Sequence, residues 1–289
     1  KKNIKQILKD TKSSYENKIY GYLLLSKYAS KSGKHKEEYN LLIKFHDVIY
    51  EKNKLEFQES NDFIFNKLVS INRYYDKSLH LNFAQELRET LKPIFIISLP
   101  RSGSTLLEKI IASNNKHLIS GEETEIFSLL GKQFFKNINF FNKFEETAKK
   151  IINEYKNQNL VSSKNILRFT DKSIDSFYYL GWIKKIFPNA IFINCERDPK
   201  AIIVSILRNI FISSSWSHNI DDIIHFIDNH YKTIEFWESQ EDIEIYRIKY
   251  EKLINDFETE TKNLFNYCGL NWSNEILRFN VSSKNVSSK

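Results

Sequence analysis

The feature that most constrains the fold is an unbroken apolar run at residues 94–99, Ile-Phe-Ile-Ile-Ser-Leu, directly after Pro93. Apolar and polar residues do not alternate in it, so a strand built from it must be buried on both faces, as central parallel strands are. Residues 190–195 form a second run of this kind, and residues 243–249 indicate a third. Helical patterns separate these runs, at residues 104–113, 176–187 and 199–211. This alternation predicts an α/β fold with a central parallel sheet flanked by helices.

The first 90 residues contain no proline and have the apolar spacing of helices. Between residues 19 and 52, two amphipathic patterns flank a tight turn at Ser32-Gly33, which predicts an αα-hairpin. Its length and turn position match a tetratricopeptide repeat, although any helical hairpin can show the same pattern. We therefore expect two domains, a helical, tetratricopeptide-like region at residues 1–90 and an α/β domain at residues 91–289.

Composition excludes several classes of protein. The chain is 41% hydrophobic and 14% aromatic, which is typical of globular proteins, and no apolar run is long enough to span a membrane. Cys195 and Cys268 form neither a disulfide framework nor a zinc-site spacing, so we expect a cytoplasmic protein without a metal. The net charge of +7 suits an anionic partner. However, no motif of interleaved aromatic and basic residues appears, and we expect no nucleic-acid partner.

The turn after the first apolar run has the residues of a phosphate site. Parallel sheets bind ligands at the carboxyl ends of their strands, where the first N–H groups of the next helix favour an anion. In this turn Gly103 allows close backbone approach, Ser102, Ser104 and Thr105 add hydroxyl groups, and Arg101 adds positive charge. The nucleoside-triphosphate loop motif is not matched, because no lysine precedes Ser104.

A second anion site is predicted after the second run. Asp198 is a good helix N-cap and Pro199 a good first helical residue, which leaves Arg197 at the carboxyl end of the strand. Ser205 follows two helical turns later. Arg197 and Ser205 can therefore hold a second anion, and a surface ion pair of Arg197 is the alternative interpretation.

Together these motifs resemble those of sulfotransferases that use 3′-phosphoadenosine 5′-phosphosulfate (PAPS). Residues 100–107 and the Arg197–Ser205 spacing resemble the two nucleotide-binding motifs of that family. Residues 121–124 resemble the Gly-Glu-Glu-Thr segment of protein-tyrosine sulfotransferases. Residues 170–181 resemble a segment of bacterial sulfotransferases that carry tetratricopeptide repeats, and residues 250–253 fit a Tyr-Glu-x-Leu motif. The resemblance covers residues 93–289 and implies a P-loop-like sheet.

The resemblance also implies roles for individual residues. Glu123 would be the general base, and Arg101 and Lys172 would stabilise charge on the sulfuryl group and the bridging oxygen. The implied PAPS site contains Arg101, Ser102, Gly103, Ser104, Thr105, Leu106, Arg197, Ser205 and Tyr250. His117 stays an alternative base. Glu125 stands where the tyrosine enzymes have an arginine, which puts a tyrosylprotein acceptor in doubt.

The expected function is in-line transfer of a sulfuryl group from PAPS to an acceptor hydroxyl or amine. The acceptor can be a peptide, a glycan, a lipid or a small molecule, and the helical region can bind a protein partner. Two alternatives stay open, an inactive nucleotide-binding scaffold and a P-loop nucleotide kinase. The chain has no methionine and stops before a basic segment that the family adds to the 3′-phosphate site, so we expect a fragment shortened at both ends.

Overall fold

A parallel five-stranded sheet is the centre of the computed structural model, which describes residues 2–10, 12–113, 118–136, 143–161, 168–209 and 211–282. The strands are β1 (Ile94–Ile96), β2 (Leu118–Ser120), β3 (Arg168–Asp171), β4 (Ile191–Glu196) and β5 (Ile245–Lys249). Their order is β2-β3-β1-β4-β5, and every neighbouring pair is parallel. The predicted α/β fold with a central parallel sheet, preceded by helices, is confirmed.

The described helices fall into two compact units, one of residues 1–67 and 199–229, the other of residues 68–198 and 230–289. We call these the helical unit and the sheet unit. The helical unit contains α1 (Lys2–Lys9), α2 (Tyr15–Lys31), α3 (His35–Lys52), α4 (Lys54–Asp62) and α10 (Pro199–Arg208), a π-helical turn (Phe63–Lys67) and a 3-10 turn (Ser215–His218). Helix α11 (Ile220–Glu238) begins in the helical unit and ends in the sheet unit.

The remaining helices belong to the sheet unit. They are α5 (Gln85–Thr90), α6 (Ser104–Ala112), α7 (Ser128–Lys136), α8 (Phe144–Asn157), α9 (Leu180–Ile186), α12 (Tyr250–Asn255), α13 (Phe257–Tyr267) and α14 (Glu275–Ser282), with 3-10 helices at Leu68–Tyr74 and Ser176–Tyr179. Among the residues that the structure describes, none of the helices combines the length and apolar character needed to cross a membrane.

Both faces of the sheet are buried, as the apolar runs predict. On one face, Ile94 and Ile96 pack with Ile193, Cys195 and residues from α6, α12 and α13. On the other, the ring of Phe95 lies 5.7–6.3 Å from the rings of Phe127, Phe169, Phe187 and Phe192. Cys195 and Cys268 are both buried free thiols. The central strands are thus held by side chains on both faces, which fixes where their carboxyl ends lie.

The helical unit contains the predicted hairpin. Helices α2 and α3 flank the turn at Ser32 and Gly33, where Gly33 has a φ of 67° and the N–H of Lys34 donates to the carbonyl of Ala29 (3.0 Å). The second segment of this unit packs on the hairpin, since Arg208 of α10 makes two hydrogen bonds with Glu38 of α3 (2.8 and 3.0 Å). The domain boundary expected near residue 90 stays a prediction. The compact units divide after Lys67, and residues 199–229 belong to the helical unit.

Candidate active site

The carboxyl ends of the five parallel strands meet at one edge of the sheet, which is where such sheets bind ligands. Arg101 follows β1, Glu123 follows β2, Lys172 follows β3, Arg197 follows β4 and Tyr250 follows β5. The sheet therefore brings together five residues that are up to 149 positions apart in the chain (101 to 250). The apolar runs of the sequence predict β1, β4 and β5 but neither β2 nor β3. The motifs that contain Glu123 and Lys172, at the ends of β2 and β3, are nevertheless recognised in the sequence.

The turn between β1 and α6 has the backbone geometry of an anion-binding loop. Arg101 and Gly103 have φ values of 68° and 112°, and the first helical hydrogen bond runs from the N–H of Leu107 to the carbonyl of Gly103 (3.0 Å). The N–H groups of residues 104–106 precede that bond, so no carbonyl within the helix pairs with them. A phosphate at this position would receive these N–H groups and the positive end of the helix dipole.

Ser102 stabilises this turn from inside. The residue is fully buried, and both its hydroxyl (2.6 Å) and its N–H (3.2 Å) donate to the carbonyl of Leu99. The thiol of Cys195 on β4 donates to the carbonyl of Ser102 (3.3 Å), and burial raises the pKa of that thiol to about 12. The sequence analysis predicts a phosphate contact for the Ser102 hydroxyl, whereas here it closes the turn.

Two guanidinium groups lie close together beside the loop. Arg197 donates through Nη1 to the carbonyl of Arg101 (2.9 Å), and its guanidinium lies 4.5 Å from the ring centre of Tyr250. Burial, and then the charge of Arg197, lower the pKa of Arg101. Because the two like charges destabilise each other, a bound anion between or beside them would be stabilised by both.

Tyr250 packs directly against the loop. A Cβ atom added to Gly103 would lie 2.5 Å from Cδ2 of Tyr250, so only glycine fits between this ring and the turn. A surface pocket of about 530 Å³ opens beside Arg197. Its lining residues are Glu196, Arg197, Asp198, Tyr231, Lys249 and Glu251. Arg197 thus faces both the loop and an open space large enough for part of a nucleotide.

Glu123 and Lys172 form an ion pair on the other side of the loop. Nζ of Lys172 lies 3.1 Å from Oε1 of Glu123, and the two side chains are 7% and 52% exposed, respectively. The backbones are also joined, since the N–H of Lys172 donates to the carbonyl of Glu122 (2.8 Å). A buried ammonium is therefore paired with a carboxylate that solvent, and hence an acceptor, can reach.

Asp171 lies within the motif at residues 170–181, but the sequence gives it no role of its own. Asp171 accepts hydrogen bonds from Thr124 (2.5 Å), Tyr155 (2.6 Å) and the N–H of Ser173 (2.9 Å), which ties β3 to the segment that carries Glu123. Burial, and then the charge of Asp171, raise the pKa of Asp175 to about 7.

The sequence motifs do not include Glu108, which is another buried acidic residue of this group. It is 2% exposed, on the face of α6 that otherwise buries Leu107, Ile110 and Ile111. A glutamate among apolar residues on the buried side of a helix is the signal that could have identified it, because an ionised group is rarely buried without a partner.

Two of the predicted residues stay predictions. Ser205 lies in α10, within the helical unit, and its role as a phosphate ligand stays a prediction. His117 lies outside the described residues. Within the described ranges, no three His, Cys, Asp or Glu side chains are grouped as a metal site requires.

Comparison with known proteins gives a family match over most of the sheet-forming region. The model of the sulfotransferase family matches residues 93–274. An uncharacterised protein of Aquifex aeolicus (strain VF5) is 23% identical over 290 residues, which cover 91% of this chain and 36% of that protein. The chain therefore spans only about a third of the length of this relative.

Two solved structures share part of the fold. The sulfotransferase domain from the curacin biosynthetic pathway is 18% identical with a TM-score of 0.45, and that from the Synechococcus PCC 7002 olefin synthase is 18% identical with a TM-score of 0.43. Each match covers 65% of this chain and 77% of the other.

The family match includes all five strands and each of the strand-end residues described above, and it extends over more than half of the chain. The chain belongs to the sulfotransferase family.

Proposed function

We propose that this protein transfers a sulfuryl group from PAPS to a hydroxyl or amine of an acceptor. The main support for the proposal is that three features lie at the carboxyl edge of one parallel sheet. They are the loop with Arg101, the ion pair of Glu123 and Lys172, and Arg197. PAPS supplies an activated sulfuryl group, and transfer breaks the bond between its sulfur and the oxygen that bridges to the phosphate. The chain itself has to bind the donor, stabilise charge and accept one proton.

The β1–α6 turn is the proposed site for the 5′-phosphosulfate. The N–H groups of residues 104–106 and the Arg101 guanidinium supply hydrogen bonds and positive charge to anionic oxygens. Burial and the charge of Arg197 beside the loop lower the pKa of Arg101, and an anion bound here would stabilise both cations. The hydroxyls of Ser104 and Thr105 add two further donors in the half-buried first turn of α6.

Arg197 is the proposed ligand of the 3′-phosphate. Its guanidinium is oriented by the Arg101 carbonyl and by the ring of Tyr250, so little side-chain entropy remains to be lost on binding. The pocket beside it has room for part of the nucleotide. Ser205 is assigned to the same phosphate by the sequence motif alone.

Glu123 is the proposed base, and Lys172 the proposed cation at the reacting group. The Lys172 ammonium and the Glu123 carboxylate lie 3.1 Å apart and neutralise each other. When the Lys172 ammonium pairs with another anion, the Glu123 carboxylate can take the proton from the hydroxyl or amine of the acceptor. The 52% exposure of Glu123 allows an acceptor to reach it from solvent.

The proposal is tested by replacing the base. Glu123→Ala should lower the transfer of labelled sulfate from PAPS by about 10²–10⁴-fold, the range for loss of a general base. The affinity for 3′-phosphoadenosine 5′-phosphate, measured by calorimetry, should stay within about threefold, because the donor site is left intact. Acceptors are supplied as a panel of peptides, glycans, lipids and small alcohols and amines.

Glu258→Ala is the matched control, since Glu258 is also about half exposed and paired with a lysine, Lys262 (2.6 Å), but lies in α13 outside the site. Undiminished transfer by Glu123→Ala would overturn the base assignment. A wild-type chain that binds the nucleotide but transfers to no acceptor would instead support the inactive scaffold.

A further inference from the structure

A buried carboxylate lies at the junction of the three segments that carry the proposed catalytic residues. Glu108 lies in α6, one helical turn after Ser104, the first residue of that helix. Its side chain is 2% exposed. The proposed chemistry uses none of its atoms, although the chain keeps an acidic group there among apolar neighbours.

Both oxygens of this carboxylate have partners from other strand ends. Oε1 accepts from the hydroxyl of Thr170 at the end of β3 (2.6 Å) and from the N–H of Glu122 after β2 (3.0 Å). Oε2 lies 4.0 Å from Nζ of Lys172, which is a loose ion pair. Three segments that are distant in sequence are thus joined through one side chain.

The hydrogen bond to Glu122 supports an unfavourable backbone. Glu122 has a φ of 53°, in the left-handed region that non-glycine residues rarely adopt. Its N–H is bound by Glu108, and its carbonyl accepts the N–H of Lys172 (2.8 Å). Both sides of this residue are therefore anchored, and the next residue along the chain is Glu123.

We propose that Glu108 is a positioning residue, which holds the turn before Glu123 and the ammonium of Lys172 in the arrangement that the reaction requires. This inference rests on the proposed function. The Thr170 hydroxyl extends the same chain of contacts, because it accepts the N–H of Gly121 (3.2 Å) while it donates to Glu108. Without the carboxylate, the buried Thr170 hydroxyl and the partly buried N–H of Glu122 lose their acceptor, and the turn loses its conformation.

Kinetics test the inference through a pair of variants. Glu108→Ala removes the acceptor, and we expect kcat to fall by about 10–100-fold, since small displacements of reacting groups have effects of this size. Glu108→Gln keeps an oxygen for Thr170 and Glu122 but loses the ion pair, and we expect it to recover most of that loss. The affinity for 3′-phosphoadenosine 5′-phosphate should change by less than about threefold in both variants, because the contacts of Glu108 described above are with Thr170, Glu122 and Lys172 and not with the turn after β1.

Amide hydrogen exchange of the unliganded protein provides a readout that does not depend on activity. In Glu108→Ala, exchange in residues 121–124 should become at least about tenfold faster, because the Glu122 N–H has lost its partner. Thr170→Val should speed amide exchange in the same residues by a smaller factor. It also provides a second test of the positioning role if Glu108→Ala is poorly folded. Thr261→Val removes an equally buried hydroxyl from α13 and should leave residues 121–124 unchanged.

The outcomes separate this inference from the proposed function. A wild-type chain without transferase activity overturns the function, and unchanged exchange in Glu108→Ala overturns the positioning role whether or not the chain is active. In an active protein, a kcat that stays at the wild-type value in Glu108→Ala overturns the role as well. The positioning role is supported if Glu108→Ala lowers kcat and speeds amide exchange in residues 121–124, and if Glu108→Gln recovers most of the loss in kcat.

Discussion

At the scale of single residues, the site depends on backbone conformations that are unusual. Arg101, Gly103 and Glu122 all have positive φ values, and all three lie in turns that follow a strand of the sheet. The tertiary contacts described above hold these conformations, since Ser102, Cys195 and Tyr250 support the first turn and Glu108 supports the second. Backbone strain at a ligand-binding turn is stable only where the surroundings determine it in this way.

Gly103→Ala should damage both stability and donor binding. Its φ of 112° is unfavourable for alanine, and the new Cβ would lie 2.5 Å from the Tyr250 ring, so we expect a loss of about 1–3 kcal/mol in the free energy of unfolding. Displacement of the turn should also weaken binding of 3′-phosphoadenosine 5′-phosphate by at least about tenfold. Urea unfolding and calorimetry measure the two effects.

Gly33→Ala is the matched control for this substitution. Gly33 also has a positive φ, 67°, but a Cβ there meets no atom within 4 Å. Gly33→Ala should lower the free energy of unfolding by about 1 kcal/mol through backbone strain alone and leave nucleotide binding unchanged. Equal effects of the two substitutions on binding would contradict the contact between Tyr250 and the turn.

At the scale of elements, short strands explain what sequence reasoning found and missed. The first apolar run predicts a strand at residues 94–99, and the structure has β1 there as Ile94–Ile96. Strands β2 and β3 have only three and four residues and include Ser120, Arg168 and Asp171, so neither shows an apolar run or a clear alternation. The pattern at residues 176–187 predicts one helix, and a 3-10 helix at Ser176–Tyr179 precedes α9 there.

The connection between β3 and α9 should make stability depend on pH through Asp175. Burial and Asp171 raise the pKa of Asp175 to about 7 from an ordinary value of 3.8, so the folded state holds this proton more tightly than the unfolded state does. The stabilising contribution is complete below about pH 4 and is lost as the pH rises to about 7.

Asp175→Asn keeps a neutral side chain at every pH. The difference in unfolding free energy between Asp175→Asn and the wild type should therefore be nearly constant below pH 4. It should grow in favour of the variant between pH 4 and 7 and level off above that. Urea unfolding at a series of pH values measures this difference, and a flat difference over the whole range would contradict the raised pKa.

At the scale of the whole molecule, the two compact units are interleaved along the chain. Residues 199–229 leave the sheet unit after β4 and pack in the helical unit, where the N-terminal helices provide their partners. Besides the pair of Arg208 and Glu38, His46 contacts the carbonyl of Leu207 (2.9 Å), and the ring of His218 stacks on Phe57 at 5.3 Å. The family match over residues 93–274 thus includes residues 199–229, whose packing partners are the helices of residues 1–67.

A chain that begins at residue 68 should therefore be unstable. Removal of residues 1–67 exposes apolar side chains of residues 199–229, and we expect binding of a hydrophobic dye and a lower urea midpoint. Preferential proteolysis within residues 199–229 is expected as well. A chain that begins at residue 14 is the control, because it lacks only α1, which has no buried residue, and should unfold like the full chain. A cooperative transition of the shorter chain at the full-length midpoint would contradict the interleaved packing.

The sequence by itself determined the central parallel sheet and the glycine-containing turn after β1, because each depends on a local pattern: an apolar run and a turn that precedes a helix. Only the tertiary structure decided that Glu123 pairs with Lys172, that the Ser102 hydroxyl closes its own turn, and that Glu108 joins α6 to the ends of β2 and β3. The order of the strands and the packing of residues 199–229 with the N-terminal helices were decided at the same level. These features depend on contacts between residues that are distant in the chain, and such contacts leave no periodic pattern in the sequence.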